Sequence, residues 1–230
     1  MLAIVPAAGT GTRISGEVPK QYRPLAGRPM LWHAIRAVCV PPVRSVAVVL
    51  SPDDSQFDRC DWSAFAGRLQ PLFCGGATRR DSVYNGLVAL MDELDPGDWV
   101  LVHDAARPCL PEEDLRELVR QCEQDEVGGL LAFPVAETVK RAGKDEIGAQ
   151  RIAATEDRSQ LWLAQTPQMF RAALLAQALK QAAGPVTDEA SAVEQLGLRP
   201  RLVAGSRENL KVTYPEDMAI AESILSRRRP

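Results

Sequence analysis

Arg13 and Lys20 follow the run Pro6-Ala7-Ala8-Gly9-Thr10-Gly11-Thr12. Small residues in succession let a backbone come close to a ligand. Gly9 and Gly11 permit positive φ, so bare N–H groups can point into one concavity. Such a nest favours anions, phosphates above all. With two fixed positive charges beside it, the stretch is a device for holding a polyphosphate. It is not a Walker loop, because no Gly-Lys-Ser/Thr follows at the required distance. It is not a dinucleotide fingerprint either, since Thr12-Arg13-Ile14 offers no third glycine where that motif needs one. The plainer alternative is a strand-to-helix turn with both cations on a solvated surface.

Other groups bear on that choice. His103-Asp104-Ala105-Ala106-Arg107-Pro108 holds an acid and a base with small residues between them. Asp104 could hold Mg²⁺ through its carboxylate and leave several waters on the ion; the alternative is a helix cap or a buried ion pair with Arg107. His103 reads as structural, since phosphoryl-type chemistry needs no imidazole base here. Gly75-Gly76-Ala77-Thr78-Arg79-Arg80-Asp81-Ser82 again allows close backbone contact with a flat ligand, and Ser82 or Arg79 could reach a base or a phosphate. The competing reading is a helix N-terminus with Asp81 and Ser82 in its first turn. Thr138, Arg141 and Arg158 combine a hydroxyl with guanidinium groups, a set that suits a phosphate monoester; singly, each fits a solvated face. Lys211 is a lone charge at an apolar strand end, which points to function. Cys109 has no paired base and reads as a bystander.

The elements that must position these groups alternate. Leu2–Val5, Ser45–Leu50, Leu69–Phe73, Trp99–Val102 and Gly129–Phe133 read as strands. Leu31, Ile35 and Val38 mark one helical face, and Val83, Leu87, Leu90 and Leu94 another; Glu112–Cys122 is a third helix. Alternation of this kind predicts βαβ units and a parallel sheet. In such sheets ligands bind beyond the carboxyl ends of the strands, where the loops after Val5, Phe73 and Val102 all lie. Residues 136–160 break the rhythm. Glu137–Arg141 alternates like a ribbon strand, Ala142–Asp145 reads as its turn, and Ile147–Asp157 as the returning strand. A ribbon that small is marginal alone and is expected to pack on something, such as a second subunit. Beyond it come Leu161-Trp162-Leu163, a turn at Gln165–Gln168, helices over 171–182 and 187–196, strands at Arg201–Val203 and Asn209–Val212, and a last helix from Pro215 through Leu225. There is no internal repeat or linker, so one domain over 1–230 is expected.

Composition narrows the classes. The net charge of −3 argues against a general nucleic-acid binder. No apolar run approaches the ~20 residues that span a bilayer, and the first strand begins at residue 2 with no charged leader before it. The five cysteines are odd in number, widely spaced and without a Cys-x-x-Cys pair, so neither a disulfide framework nor a zinc site is suggested and a reducing, cytoplasmic setting is expected. With two histidines, His33 and His103, a multi-histidine metal site is not expected.

Taken together, Pro6–Arg13, Pro19-Lys20-Gln21-Tyr22, Asp81-Ser82-Val83, His103–Pro108, Thr166-Pro167-Gln168, Thr187-Asp188-Glu189 and Asn209–Thr213 resemble the 2-C-methyl-D-erythritol 4-phosphate cytidylyltransferases, in order and over essentially the whole chain. The resemblance implies an α/β, Rossmann-like, mostly parallel sheet with helices on both faces and a small protruding β-ribbon arm. It implies a homodimer through the 136–160 arm, with CTP and Mg²⁺. By position, Arg13 and Lys20 match cations that act in the transition state. Ala7, Ala8, Gly9, Gly76 and Ser82 match cytidine-binding positions, with Pro6, Thr10, Gly11, Gly75, Asp104 and Ala105 in the same nucleotide site. Arg158 and Lys211 match residues that position the methylerythritol phosphate, with Arg107, Thr138, Arg141 and Thr187 nearby; the arm residues act across the dimer. Two departures stand out. Ala77 occupies a position where relatives can carry an acid, so base recognition would rest on backbone and Ser82. Lys211 stands where broader sugar nucleotidyltransferases often carry a metal-binding Asp, so one metal, held by the triphosphate and Asp104, is expected. The alternatives are a cytidylyltransferase for ribitol 5-phosphate or another polyol phosphate, and a non-catalytic nucleotide-sensing module.

Overall fold

The computed structural model describes residues 1–9 and 18–228. In chain order its elements are β1 (Leu2–Pro6), β2 (Pro24–Leu25), β3 (Arg28–Pro29), α1 (Met30–Val38), β4 (Ser45–Val49), β5 (Leu69–Leu72), α2 (Arg79–Ala89), β6 (Trp99–Val102), α3 (Glu112–Cys122), β7 (Gly128–Pro134), β8 (Lys140–Lys144), β9 (Gln150–Thr155), β10 (Trp162–Arg171), α4 (Ala172–Gln181), α5 (Glu189–Glu194), β11 (Arg201–Ala204) and α6 (Pro215–Arg227). Seven strands form one sheet in the order β11-β7-β10-β6-β1-β4-β5. β1 pairs in parallel with β4 and β6, β4 with β5 and β7 with β11, while β10 runs antiparallel to both its neighbours. The expected α/β class and mostly parallel sheet are therefore observed.

The central strands β1, β4 and β6 are almost wholly apolar because both of their faces are covered. Successive side chains point to opposite faces. Ala3, Val5, Val46, Val48 and Leu101 join one core with α1 and α3, through Leu31, Ile35, Leu115 and Leu118. Leu2, Ile4, Ala47, Val49, Val100 and Val102 join the other with α2, α4 and α5, through Val83, Leu87, Leu175, Leu179 and Val193. Fully burying a side chain such as Ile4 stabilises by about 1.5–3 kcal/mol, so the central strands are fixed and their carboxyl ends make a rigid rim. A third, smaller core joins Leu25, Met30, Cys109 and Val212 to Ala221 and Ile224 of α6, beside that rim.

Four expectations are corrected. Leu90 and Leu94 are buried as expected, but α2 ends at Ala89 and a short 3-10 turn, Met91–Glu93, carries the chain between them. Gln165–Gln168 is not a turn: it lies inside β10, where the pairing with β7 shifts register between Ala164 and Gln168. Asn209–Val212 is not a strand, because its backbone is claimed by the rim; Val212 N–H donates to Ala106 O at 2.8 Å and Asn209 O accepts from Arg107. The ribbon exists, but Ala142–Lys144 belongs to β8 and pairs with Gln150–Ile152; the Asp145 carboxylate, which accepts from the N–H groups of Ile147 and Ala149, makes the turn. Ile147 and Ile152 on this ribbon are 88% and 68% exposed, an unusual state for isoleucine.

Candidate active site

A cleft of about 420 Å³ opens at the carboxyl ends of β1, β5 and β6. Pro6, Ala7, Ala8, Gly9, Lys20, Gly76, Ser82, Asp104, Ala105 and Lys211 all line it, so a set scattered over the whole sequence converges. A second cavity, of about 230 Å³, adjoins it and takes in Arg107, Thr166, Gln168, Thr187 and Asp188. Arg79, Asp104 and Lys211 line both and form the wall between them. Thr10, Gly11 and Arg13 lie outside the described residues.

The glycines serve packing more than conformation. Gly9 is not in the left-handed region, and a Cβ there would meet nothing. A Cβ on Gly75 would fall 2.3 Å from Ala8 Cβ, and one on Gly76 2.4 Å from Asp81 Cβ. Gly75 thus lets the loop after β5 close against the loop after β1, and Gly76 lets it fold onto the first turn of α2. Their N–H groups are used internally: Gly75 donates to Leu50 O and Gly76 to Ser82 Oγ. Those two N–H groups are therefore taken within the protein. Ser82 is buried and braces Gly76 while lining the cleft. Asp81 takes the role of a helix cap, in a reciprocal capping box with Thr78.

Lys20 begins a short 3-10 turn, Lys20–Tyr22, that is clamped twice. Gln21, buried, donates to Ala7 O at 2.8 Å, and the Tyr22 hydroxyl donates to Asp54 Oδ2 at 2.8 Å. Burial and the Asp54 hydrogen bond push the Tyr22 hydroxyl far above its ordinary range, so it stays a donor. Lys20 Nζ reaches across to Val212 O at 2.7 Å. Val212 is the neighbour of Lys211, so one short segment carries one lysine and holds the other.

Asp104 is the hub. Its Oδ1 accepts from Arg79 Nε at 2.8 Å, Lys211 Nζ sits 2.8 Å from its Oδ2, and Arg107 Nε lies 3.8 Å from the same oxygen. Burial alone would raise its pKa, but Arg79 and Lys211 hold the carboxyl well below the usual range. The alternative of a buried ion pair with Arg107 was thus correct in kind, but with Arg79 and Lys211 as the nearer partners. This environment does not fit a protein-held Mg²⁺ at Asp104: both oxygens are occupied by cations, and no group of three His, Cys, Asp or Glu side chains among the described residues could hold an ion.

Arg107 is buried and serves the loops. Its Nη1 donates to Asn209 O at 2.6 Å and its Nη2 to Ala164 O at 3.3 Å, which leaves Nε without a hydrogen-bond partner. Thr187 is exposed at the mouth of the second cavity. Thr138, Arg141 and Arg158 line neither cavity. Thr138 is exposed, Arg141 pairs with Glu156 across the ribbon, and Arg158 donates to Ala136 O. Sequence reading passed over Gln21, Glu189 and Asn209. All three are buried polar residues, and the three motifs that contain them were the available signal.

His103 is structural, as expected. It is fully buried; Asp104 N–H donates to Thr166 Oγ1, the hydroxyl pairs with His103 Nδ1 at 3.1 Å, and Nε2 faces Arg107 O at 3.0 Å. That network assigns the ring proton to Nε2 and keeps the ring neutral. Burial pushes its pKa down to about 4 from 6.5. An unfolded histidine binds a proton below about 6.5 that the folded one refuses, so this group contributes stability above pH ~6.5 that is lost as pH falls toward ~4, at up to about 1.4 kcal/mol per pH unit. His103→Gln is expected to remove that slope in urea unfolding between pH 7.5 and 5; parallel curves for the two proteins would contradict the assignment. Cys109 is inert, buried against Ala221 O with its thiol pushed up to about 12 by burial.

The model of one protein family, 2-C-methyl-D-erythritol 4-phosphate cytidylyltransferase, matches residues 1–227. The proteins of that name from Aromatoleum aromaticum and Azoarcus sp. are 54% and 56% identical to this chain over 227 residues, covering 98% of it and 95% and 94% of themselves. A crystal structure of 4-diphosphocytidyl-2C-methyl-D-erythritol synthase superposes with a TM-score of 0.83 at 40% identity, covering 97% of each chain. The Thermus thermophilus cytidylyltransferase gives 0.77 at 28% identity, covering 98% of each. With this match running the length of the cleft-forming segments, the chain belongs to the 2-C-methyl-D-erythritol 4-phosphate cytidylyltransferase family.

Proposed function

We propose that this chain transfers the cytidylyl group of CTP to 2-C-methyl-D-erythritol 4-phosphate, giving 4-diphosphocytidyl-2-C-methyl-D-erythritol and pyrophosphate, a step of isoprenoid precursor synthesis. The observation that carries the reading is the shared wall. A nucleotide-sized cleft built on the loop after β1 meets a smaller polar cavity, and Lys211 and Asp104 stand between them. A phosphate oxygen of the acceptor attacks the α-phosphorus of CTP. The bond from that phosphorus to the oxygen bridging to the β-phosphate breaks, and its electron pair leaves with pyrophosphate. The nucleophile is already an anion, so no protein base is needed. The obstacles are repulsion between two anions and charge growth on the leaving group, and fixed cations answer both. Lys20, with Arg13, would face the triphosphate, and Lys211 the acceptor. The nucleotide enters as its magnesium complex, the ion carried on the triphosphate as part of the substrate.

The arm residues call for a second copy of the chain. Thr138, Arg141 and Arg158 line neither cavity of their own protomer, and the ribbon they belong to or flank exposes Ile147 and Ile152. We take the enzyme to be a homodimer in which each arm reaches the partner's acceptor cavity. Mixing inactive Lys20→Ala and Arg158→Ala dimers would then restore about a quarter of the parent activity, because half the dimers are mixed and each mixed dimer has one intact site; no recovery would place Arg158 in its own protomer's site. Five free cysteines suit a reducing cytoplasm, and no helix among the described residues is long and apolar enough to cross a membrane.

The function is tested by pyrophosphate release from CTP with methylerythritol phosphate, with ribitol 5-phosphate, and with neither. Release is expected with methylerythritol phosphate well above the other two. Preference for ribitol 5-phosphate would move the acceptor, and no release with any would favour a nucleotide-sensing module.

A further inference from the structure

Glu189 is 1% exposed, a place where a charged carboxylate needs a partner. Its partner is Arg79: Nη1 donates to Oε1 at 2.7 Å and Nη2 to Oε2 at 3.0 Å, a bidentate pair. The remaining edge of that guanidinium, Nε, donates to Asp104 Oδ1. A guanidinium gripped through both Nη groups is fixed in plane and direction, so its Nε–H can point to one place only, and Asp104 rests there. The other Asp104 oxygen holds Lys211. Four alternating charges thus run Glu189, Arg79, Asp104, Lys211 from the buried start of α5 to the wall between the cavities.

The start of this chain is itself anchored. Gln168, buried in β10, donates to Asp188 Oδ2 and accepts from Ala190 N–H, both at 2.8 Å, which grips the residues on either side of Glu189. Arg79 lines both cavities and would otherwise be free to swing onto a ligand phosphate. Glu189 reserves it for Asp104. We propose that Glu189, acting through Arg79, is a positioning residue that sets the place of Asp104 and hence of the Lys211 ammonium between nucleotide and acceptor. This deepens the cytidylyltransferase reading and rests on it for its kinetic consequence, but the placement of Lys211 can be read without turnover.

The experiment uses the full-length protein, parent and Glu189→Gln, with two readouts. The first is the rate at which an amine-acetylating reagent labels Lys211, mapped by mass spectrometry with Lys140 and Lys180 as internal references. The second is steady-state kinetics with each substrate varied. With Glu189 neutralised, Lys211 is expected to label severalfold faster relative to the references. The kcat is expected to fall about 10–100-fold, the scale of a small misplacement, with KM for methylerythritol phosphate raised and KM for CTP within about twofold. Arg79→Met/Glu189→Leu, which replaces the pair by apolar side chains and keeps the fold if the single variant does not, is expected to unfold near the parent temperature yet keep the faster labelling and the low kcat. Parent-like labelling of Lys211 in Glu189→Gln, or recovery of parent kcat in the apolar double variant, would overturn the proposal. A parent that labels as expected but releases no pyrophosphate would overturn the functional reading and leave the placement standing.

Discussion

Replacing Lys20 by alanine is expected to lower kcat about 10²–10³-fold, a barrier increase of roughly 3–4 kcal/mol, while CTP binding weakens far less. The reasoning is differential. On the proposed reading the triphosphate of bound CTP would have other neutralising charges, including its own magnesium, so one ammonium would add little to ground-state affinity. Charge moves toward the leaving pyrophosphate only in the transition state, and only interactions that strengthen there raise kcat. The structure adds a second loss. Lys20 Nζ ties the loop after β1 to Val212 O, next to Lys211, so its removal also loosens the segment that carries Lys211. Lys20→Arg keeps the charge and is expected to recover part of the rate. The check is kcat from pyrophosphate release set against the dissociation constant of CTP from calorimetry. An unchanged kcat, or a loss confined to CTP affinity, would remove Lys20 from the reaction.

Asp104→Asn is expected to cost about 3–5 kcal/mol of stability and most of the activity. That is the range for removing one member of a buried charge cluster and leaving its partners uncompensated. Arg79, Lys211 and Arg107 all converge on this carboxylate, and the amide cannot neutralise them. The sign of the pH dependence follows from its depressed pKa. A carboxyl ionised more readily folded than unfolded contributes stability that is complete above the unfolded value near 4 and lost only as pH falls through the folded value. The deficit of the variant, from urea unfolding, should therefore stay level from pH 8 to 5 and shrink only in stronger acid. A deficit that disappears between pH 7 and 5 would mean that Asp104 is not held ionised by its neighbours.

The central strands, the helices that cover them and the convergence of three loops were all legible in the sequence. β1, β4 and β6 are apolar runs covered on both faces, and local pattern and tertiary packing agree there. The pairing of Asp104 with Lys211 was not legible, although each residue was singled out, because nothing local links positions so far apart in the chain. Asn209–Val212 reads as a strand from its apolar residues. It is not one, because Arg107, Gln165 and Ala106 take its backbone groups and fasten it to the rim. Ala142-Gly143-Lys144-Asp145 has the composition of a turn, but the Asp145 carboxylate gathers the N–H groups that follow it, which moves the turn forward. Glu189 lay in a helix-opening motif that cap chemistry explains by itself. Its burial against Arg79 emerges only when α2 and α5 pack on the same face of the sheet.

The central claim is a direct displacement at the α-phosphorus, with fixed cations instead of a covalent intermediate. The most direct measurement uses one diastereomer of CTP bearing sulfur on the α-phosphate, with methylerythritol phosphate as acceptor, and reads the configuration at that phosphorus in the product. A single in-line attack by the acceptor phosphate predicts inversion. Retention would require two displacements through a cytidylylated side chain, and would contradict the account.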